Sequence, residues 1–563
     1  MNVAGGNLPP TWWSRRRLAI AAVAAVAIGA SAFTYRFNAL GGALGGFEND
    51  HFTRLIRADA LLQGQQPLRD FVDTELRGAW PALTYAASAW AQQLGGRTLL
   101  PEAYLTVGAL TLAHVIVFLL ALDLSKRWSV AVLAAAVAIA TMPKAHNYPK
   151  VLMLALGVWA LRAVAVRPSV LRLGAAALVT AAATLFRHDY GVYVAAGVVA
   201  ALAARDAERW RGALRRIATY AALTTACLLP SAVWVQVYGG IPAYLRNGLA
   251  TVAAERTRTP LRLSQLDLTA PLTGGGPELL TYYGFRAVPL VAGIALVALL
   301  VRSKGLHVGA GERATAAGLI VMAALVNFFF LRANLPARLG DAAVPIVLLA
   351  AWVGGAALLW SSSGVRVFVT AVPVTLLLIM LGGAYVFGDV RRELDTSGLS
   401  DSWAKTTRRR QEVRDQLGRL PPLVWSDAQA QGTLVAARYV AECTTESDHL
   451  LVIGRLHEIP VLARRLFAAG QPLFELSLYT SDAEQQRALG RLARQSVPIV
   501  LAEADDFEDG FTSDYPLVAR HLAEHYRDVG IIEVDEEPRI RVFATSDRDP
   551  VRSDPVFGLP CFR

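Results

Sequence analysis

Arg15-Arg16-Arg17-Leu18-Ala19-Ile20-Ala21-Ala22-Val23 opens an apolar run that continues to Thr34, and Gly45-Gly46-Phe47-Glu48-Asn49-Asp50-His51 follows shortly after it. The run is long enough to anchor the chain in a bilayer, and three cations precede it. The second stretch sets two carboxylates, Glu48 and Asp50, just past the far end of that anchor. Acids so close to hydrocarbon are costly unless they perform a task, and an enzyme of membrane-borne substrates needs a proton acceptor or metal ligand at this boundary. No small-x-small cleavage site stands out before Tyr35, so the run is read as a retained anchor and not as a signal peptide.

The rest of the chain supports a multispanning reading. Of 563 residues, 54% are hydrophobic and only 18% charged, and the mean hydropathy is +0.38, too apolar for a soluble protein of this length. Apolar windows predict about eleven spans, at 17–34, 102–124, 128–143, 150–166, 171–187, 190–205, 215–238, 285–302, 313–331, 341–360 and 365–387. From Gly388 to Arg563 the polarity is that of a soluble domain. The expected organisation is therefore a membrane domain over 1–387, with an exported loop at 35–100, and a soluble domain over 388–563.

Charge fixes the expected orientation. Arg15 to Arg17, Lys126, Arg127, Arg162, Arg167, Arg172, the Arg205 to Arg216 cluster, Arg302, Lys304 and Arg366 all fall on one side under this count. The positive-inside rule makes that side cytoplasmic. An odd number of spans then exports the C-terminal domain together with Glu48 and Asp50. The net charge of +10 is explained by these loops, and with no compact basic reading motif a nucleic-acid partner is excluded.

Within 35–100, Phe52, Leu55, Ile56, Leu61 and Leu62 recur at helical spacing, and Pro81 to Leu94 forms a second apolar-faced stretch before Gly95-Gly96. Two helices lying in the interface are expected. Asp59, Asp70, Asp73 and Glu75 read as solvent-facing. In the tail, helical stretches at 429–442, 459–469, 483–495 and 517–526 alternate with strand-like runs at 449–453, 497–501, 530–534 and 539–544, which predicts a small α/β domain. Cys443 and Cys561 both fall there, so a disulfide is open to them if the compartment is oxidising, whereas Cys227 lies in a span.

The outward loops also carry charges that the positive-inside rule does not predict. They are Lys144, His146 and Lys150; Arg187, His188 and Asp189; and Arg332 with Arg338. If the spans bundle, these loops converge with Glu48 and Asp50 into an outward cavity of cations around carboxylates. Such a cavity suits a phosphate and a reacting hydroxyl. There is no P-loop, no dinucleotide turn, no Cys-x-x-Cys and no His-Glu-x-x-His.

With Glu48 and Asp50 in the first exported loop, Gln63-Gly64-Gln65-Gln66-Pro67-Leu68-Arg69-Asp70-Phe71 and Trp80-Pro81 after them, charged short outward loops and a terminal domain, the chain resembles the GT-C superfamily of integral-membrane glycosyltransferases. That superfamily contains protein mannosyltransferases, aminoarabinose transferases and arabinofuranosyltransferases. The resemblance implies an inner-membrane enzyme with a periplasmic C-terminal domain, making an inverting transfer from a polyprenyl-phosphate sugar to a glycan, lipid or protein hydroxyl. It implies Asp50 as base and Glu48 as helper, with Glu48 and Asp50 as the ligands of any Mg or Mn ion. Arg338, Arg332, Arg187, Lys144 and Lys150 are the expected contacts of the donor phosphate, and His51, His188, Asp189 and His146 those of substrate. The family often shows Asp-Asp, Asp-Glu or Asp-x-Asp where this chain has Glu48-Asn49-Asp50.

Plainer readings of the same residues stay open. Glu48 and Asp50 also fit solvated acids or helix caps, and His51 a packing neighbour. Arg187 with Asp189 fits a local ion pair, and Lys144 and Lys150 fit snorkelling side chains. At the level of the whole chain, a transporter or flippase of lipid-linked glycans and a catalytically inactive scaffold are the alternatives.

Overall fold

Every apolar window of the sequence forms a helix in the computed structural model. It describes residues 14–41, 46–47, 49–72, 82–141, 144–206, 209–246, 248–249, 276–301, 309–330, 339–356, 363–387, 390–419, 433–472, 474, 479–533 and 539–563. The anchor is α1 (Arg15–Ala39), begun by Ser14, whose hydroxyl accepts the Arg17 N–H at 3.3 Å. The segment after α1 gives α2 (Asn49–Leu62) and α3 (Ala82–Gly95). The remaining apolar helices are α4 (Leu99–Ser125), α5 (Trp128–Ala140), α6 (Tyr148–Val166), α7 (Val170–Phe186), α8 (His188–Arg205), α9 (Trp210–Tyr238), α10 (Gly276–Val301), α11 (Ala310–Phe330), α12 (Leu339–Ala356) and α13 (Ser363–Phe387). Six segments among the described residues are each long and apolar enough to cross a bilayer: α1, α4, Ala145–Val166, α9, α12 and Arg366–Tyr385.

Helix α12 is apolar all round, and it is accordingly the buried centre of the bundle, with Ile346, Val347, Leu348 and Leu349 fully covered. Small residues let its neighbours close up. A Cβ on Gly318 of α11 would lie 2.6 Å from the Gly197 carbonyl oxygen of α8, so only glycine permits that approach.

Charges sit at the two ends of this bundle. Near the C-terminus of α4, Asp123 bonds Arg162 at 2.9 Å and Lys126 at 2.7 Å, and Arg162 also reaches Glu312 at 2.8 Å. Near the N-terminus of α4 lies Glu102. The helical rise puts these two positions about 30 Å apart, roughly one hydrocarbon thickness.

The tail forms the α/β domain that its alternating pattern predicts, except that the helix expected over 459–469 ends at Ala463 and Leu466–Phe467 pairs with His449–Ile453 as a fifth strand. Strands β1 (His449–Ile453), β2 (Leu466–Phe467), β3 (Ile499–Glu503), β4 (Tyr526–Ile532) and β5 (Ile540–Thr545) form one sheet in the order β2-β1-β3-β5-β4. β1 runs parallel to β2 and β3, while β5 is antiparallel to β3 and β4. The period-two alternation of each strand splits its side chains between two cores. Leu451, Ile453, Val500 and Ala502 meet the helices Asp482–Leu492 and Pro516–His525. Leu450, Val452, Ile499 and Leu501 join a second core that also contains Phe52, Leu55 and Ile56 of α2 and Phe37 of α1. The domain is therefore fused through its sheet to the segment that follows α1. Cys443 and Cys561 form a disulfide that closes its C-terminal segment onto the helix Thr433–Cys443. Ahead of that unit, Val390–Ser397 and Trp403–Arg419 are helices packed on α1, where Asn38 donates to the carbonyls of Ser397 and Thr406 at 2.9 Å each.

Candidate functional site

The first turn of α2 positions the site, and buried polar bonds hold that turn. His51 Nε2 lies 2.8 Å from Glu102 Oε1, and Ser88 Oγ donates to the same oxygen at 2.9 Å. All three residues are fully buried, and the His51 ring stacks on Phe47 at 4.5 Å. His51, expected among the substrate contacts, is thus enclosed. It ties α2 to α3 and α4 and leaves the outward position to its neighbour. Asp50 is that neighbour, with 77% of its side chain exposed, and its Oδ2 is 3.7 Å from His146 Nε2.

One turn further along α2, Arg54 is buried and donates to the His146 carbonyl. The next turn brings Arg57, fully buried, which donates to the Thr53 carbonyl at 2.9 Å. His146 stands on the short turn Ala145–Asn147 that leads into α6, and Arg54, Lys150, His51 and Lys144 all surround it within electrostatic range. Lys150, on the first turn of α6, bonds Asp341 on the first turn of α12 at 2.7 Å, with Arg187 and Arg54 nearby. Arg187 in turn holds Asp189 at 2.9 Å, and His188 meets the Tyr244 hydroxyl. Tyr148, fully buried, has no partner for its hydroxyl among the described residues.

The structure therefore gathers Asp50, His51, Lys144, His146, Lys150, Arg187 and Asp189 at the end of the bundle opposite the Asp123–Arg162–Glu312 cluster. It also pairs two of the cations expected at the phosphate: Lys150 with Asp341, and Arg187 with Asp189 in the local ion pair that the plainer reading had. Glu48, Arg332 and Arg338 lie outside the described residues, and with Glu48 the expected metal pair. Asp59, read as solvent-facing, is instead buried and paired with Arg97 at 3.0 Å. Burial holds its carboxyl above the usual range even with that partner.

Four residues of the cluster escaped the sequence reading: Arg54, Arg57, Glu102 and Asp341. Glu102 and Asp341 were visible as acids at the first positions of apolar windows. Arg54 and Arg57 share a face of α2 with Asp50, a spacing that signals a polar stripe on an otherwise apolar-faced helix.

No family model and no curated protein matches the chain. Among solved structures it is similar to the crystal structure of ArnT from Cupriavidus metallidurans bound to undecaprenyl phosphate. That similarity spans 94% of this chain and 98% of that one, at 16% sequence identity and a TM-score of 0.48. The chain itself is a polytopic helical membrane protein with a C-terminal α/β domain, as its hydropathy and strand pattern predict.

Proposed function

We propose that the chain is a GT-C glycosyltransferase that moves a sugar from a polyprenyl-phosphate donor to an acceptor hydroxyl on the outer face of the cytoplasmic membrane. The observation that carries this reading is Asp50 itself: an exposed carboxylate at the rim of a membrane bundle, 3.7 Å from His146, around which Lys144, Lys150 and Arg54 gather. In one displacement the acceptor oxygen bonds to the anomeric carbon as the bond from that carbon to the donor phosphate oxygen breaks. The hydroxyl proton passes to Asp50, and the lipid phosphate leaves with the bonding pair, inverting the centre. Cations at Lys144, Lys150 and Arg187, together with Arg332 and Arg338, stabilise the charge that develops on the phosphate. Any Mg or Mn ion would be held by Glu48 and Asp50 and would add positive charge facing the departing phosphate. Glu48 assists Asp50.

Orientation follows from two independent features. The short basic loops sit at the Asp123–Arg162 end, which the positive-inside rule makes cytoplasmic. The Cys443–Cys561 disulfide suits an oxidising compartment, which supports an α/β domain on the opposite side, with Asp50.

The test is purified protein in nanodiscs given polyprenyl-phosphate pentoses and hexoses, with release of the lipid phosphate as readout. Asp50→Asn should lower turnover by roughly two to four orders of magnitude with an unchanged melting temperature. Normal turnover in that variant would reject Asp50 as the base. No release from any donor, combined with lipid-linked sugar flipping in the same nanodisc lipids reconstituted as liposomes, would favour the transporter reading.

A further inference from the structure

The stretch Gln63 to Asp70 continues from α2 and is stapled to the α/β domain. Val72 N–H donates to the Gly470 carbonyl at 2.9 Å, and Arg491 Nη2 donates to the Arg69 carbonyl at 3.3 Å. Gly470 has φ +63°, and a Cβ there would lie 2.6 Å from the Asp70 carbonyl oxygen, so the seam is closed by a residue that only glycine can fill. On the other side, Trp234 of α9 donates to the Pro67 carbonyl at 3.3 Å and packs against Tyr238, with ring centroids 4.5 Å apart.

This seam borders an open cleft of about 390 Å³ lined by Gln63, Gln65, Arg69, Asp70, Arg491 and Arg494. Asp70 is taken: Arg69 Nε reaches both of its oxygens at 3.0 and 2.9 Å, and the Gln66 N–H donates to it at 2.8 Å. Arg491 and Arg494 have no carboxylate hydrogen-bonded to them among the described residues. Two guanidinium groups thus face a cleft whose one acid is already neutralised, beside amide side chains that can donate and accept. Half-exposed Tyr238 stands against Arg69 at the edge. Fixed planar forks of this kind suit carboxylate or phosphate oxygens, amides suit vicinal hydroxyls, and an aromatic edge suits the apolar face of a sugar ring.

We infer that this cleft is a subsite for an anionic glycan, a chain of sugars bearing carboxylate or phosphate groups. Naming that glycan the acceptor rests on the transferase reading; the binding itself does not. Helix α2 links the two places, because Asp50 is in its first turn and Gln63 directly follows its last residue. Its rise separates them by roughly 20 Å. The ligand is therefore longer than one sugar, with its anionic stretch held at the seam while a hydroxyl further along reaches Asp50.

Microscale thermophoresis of the full chain in nanodiscs tests this with tetragalacturonate, phosphorylated maltotetraose and unmodified maltotetraose. At least one acidic probe should bind tenfold or more tighter than the neutral one, and the tighter acid identifies which anion the site reads. The double variant Arg491→Ala/Arg494→Ala should bring acidic and neutral probes to the same affinity, with Arg438→Ala, elsewhere on the domain, as the basic-surface control. Asp50→Asn should bind like wild type, so a failed transferase assay and a failed subsite are separate results. Equal affinity for all three probes, no binding at millimolar concentration, or an acidic preference that survives the double variant would each overturn the assignment. If the double variant unfolds, Arg491→Gln and Arg494→Gln singly should still halve the acidic preference or more, and an unchanged preference in both overturns it as well.

Discussion

Removing Lys150 should damage the protein more than removing Lys150 and Asp341 together. Their nitrogen and oxygen are 2.7 Å apart, and each side chain is about nine-tenths buried between α6 and α12. At that separation and an effective dielectric of about 20, the Coulomb attraction is about 6 kcal/mol, and desolvation of the two ions takes back a large share. What a single substitution exposes is mainly the cost of a lone buried carboxylate. For Lys150→Met that cost is about 3 to 5 kcal/mol, and Asp341→Leu should cost a similar amount by stranding the ammonium. The double variant replaces both by apolar side chains and should return to within about 1 kcal/mol of wild type, giving a coupling of several kcal/mol between positions 191 residues apart. Unfolding in mixed micelles, titrated with denaturing detergent, reads all four corners of the cycle. If the double variant loses the sum of the single losses, the two groups do not share a buried pair and the α6–α12 corner of the site is wrongly built.

A cysteine in place of exposed Asp505, in a Cys227→Ser background, should react with a membrane-impermeant maleimide in intact spheroplasts; reaction only after lysis would invert the proposed orientation. Glu458, buried in the α/β domain, has its carboxyl pushed above the usual range chiefly by burial. A raised folded value means that its contribution to stability is full below the unfolded value of about 4.3 and is lost as pH rises through the folded one. Glu458→Gln should therefore raise the melting temperature at pH 7, with the gain vanishing near pH 4; a gain that does not depend on pH would contradict the burial argument.

Local pattern carried most of the fold. Strand β1 was legible to the residue because Leu450 to Ile453 form an apolar run bounded by Asp448 and Gly454, and α2 because Phe52, Leu55 and Ile56 repeat at helical spacing. β2 was not, since Leu466-Phe467 follows an apolar helix after only Arg464-Arg465, and it is pairing with β1 that makes it a strand. In the site, Asp50 stood out by its place after an anchor. Its supports did not, because each depends on a distant partner: His51 on Glu102, Asp59 on Arg97, Lys150 on Asp341. A charge in a polar stretch looks solvated until the chain returns to cover it.

Because Phe52, Leu55 and Ile56 of α2 share one core with Leu450, Val452 and Leu501, the order of synthesis matters to this protein. Helix α2 is made early, and the strands that cover it follow ~390 residues later, roughly 20 to 80 s at ordinary elongation rates. Until then this core holds, beside α2, only residues such as Phe37 of α1 and Leu99, Ala103 and Val107 of α4. The core that backs α2 is thus complete only once the last part of the chain has folded, and a ribosome that stalls before then leaves the bundle with that face of α2 unfinished.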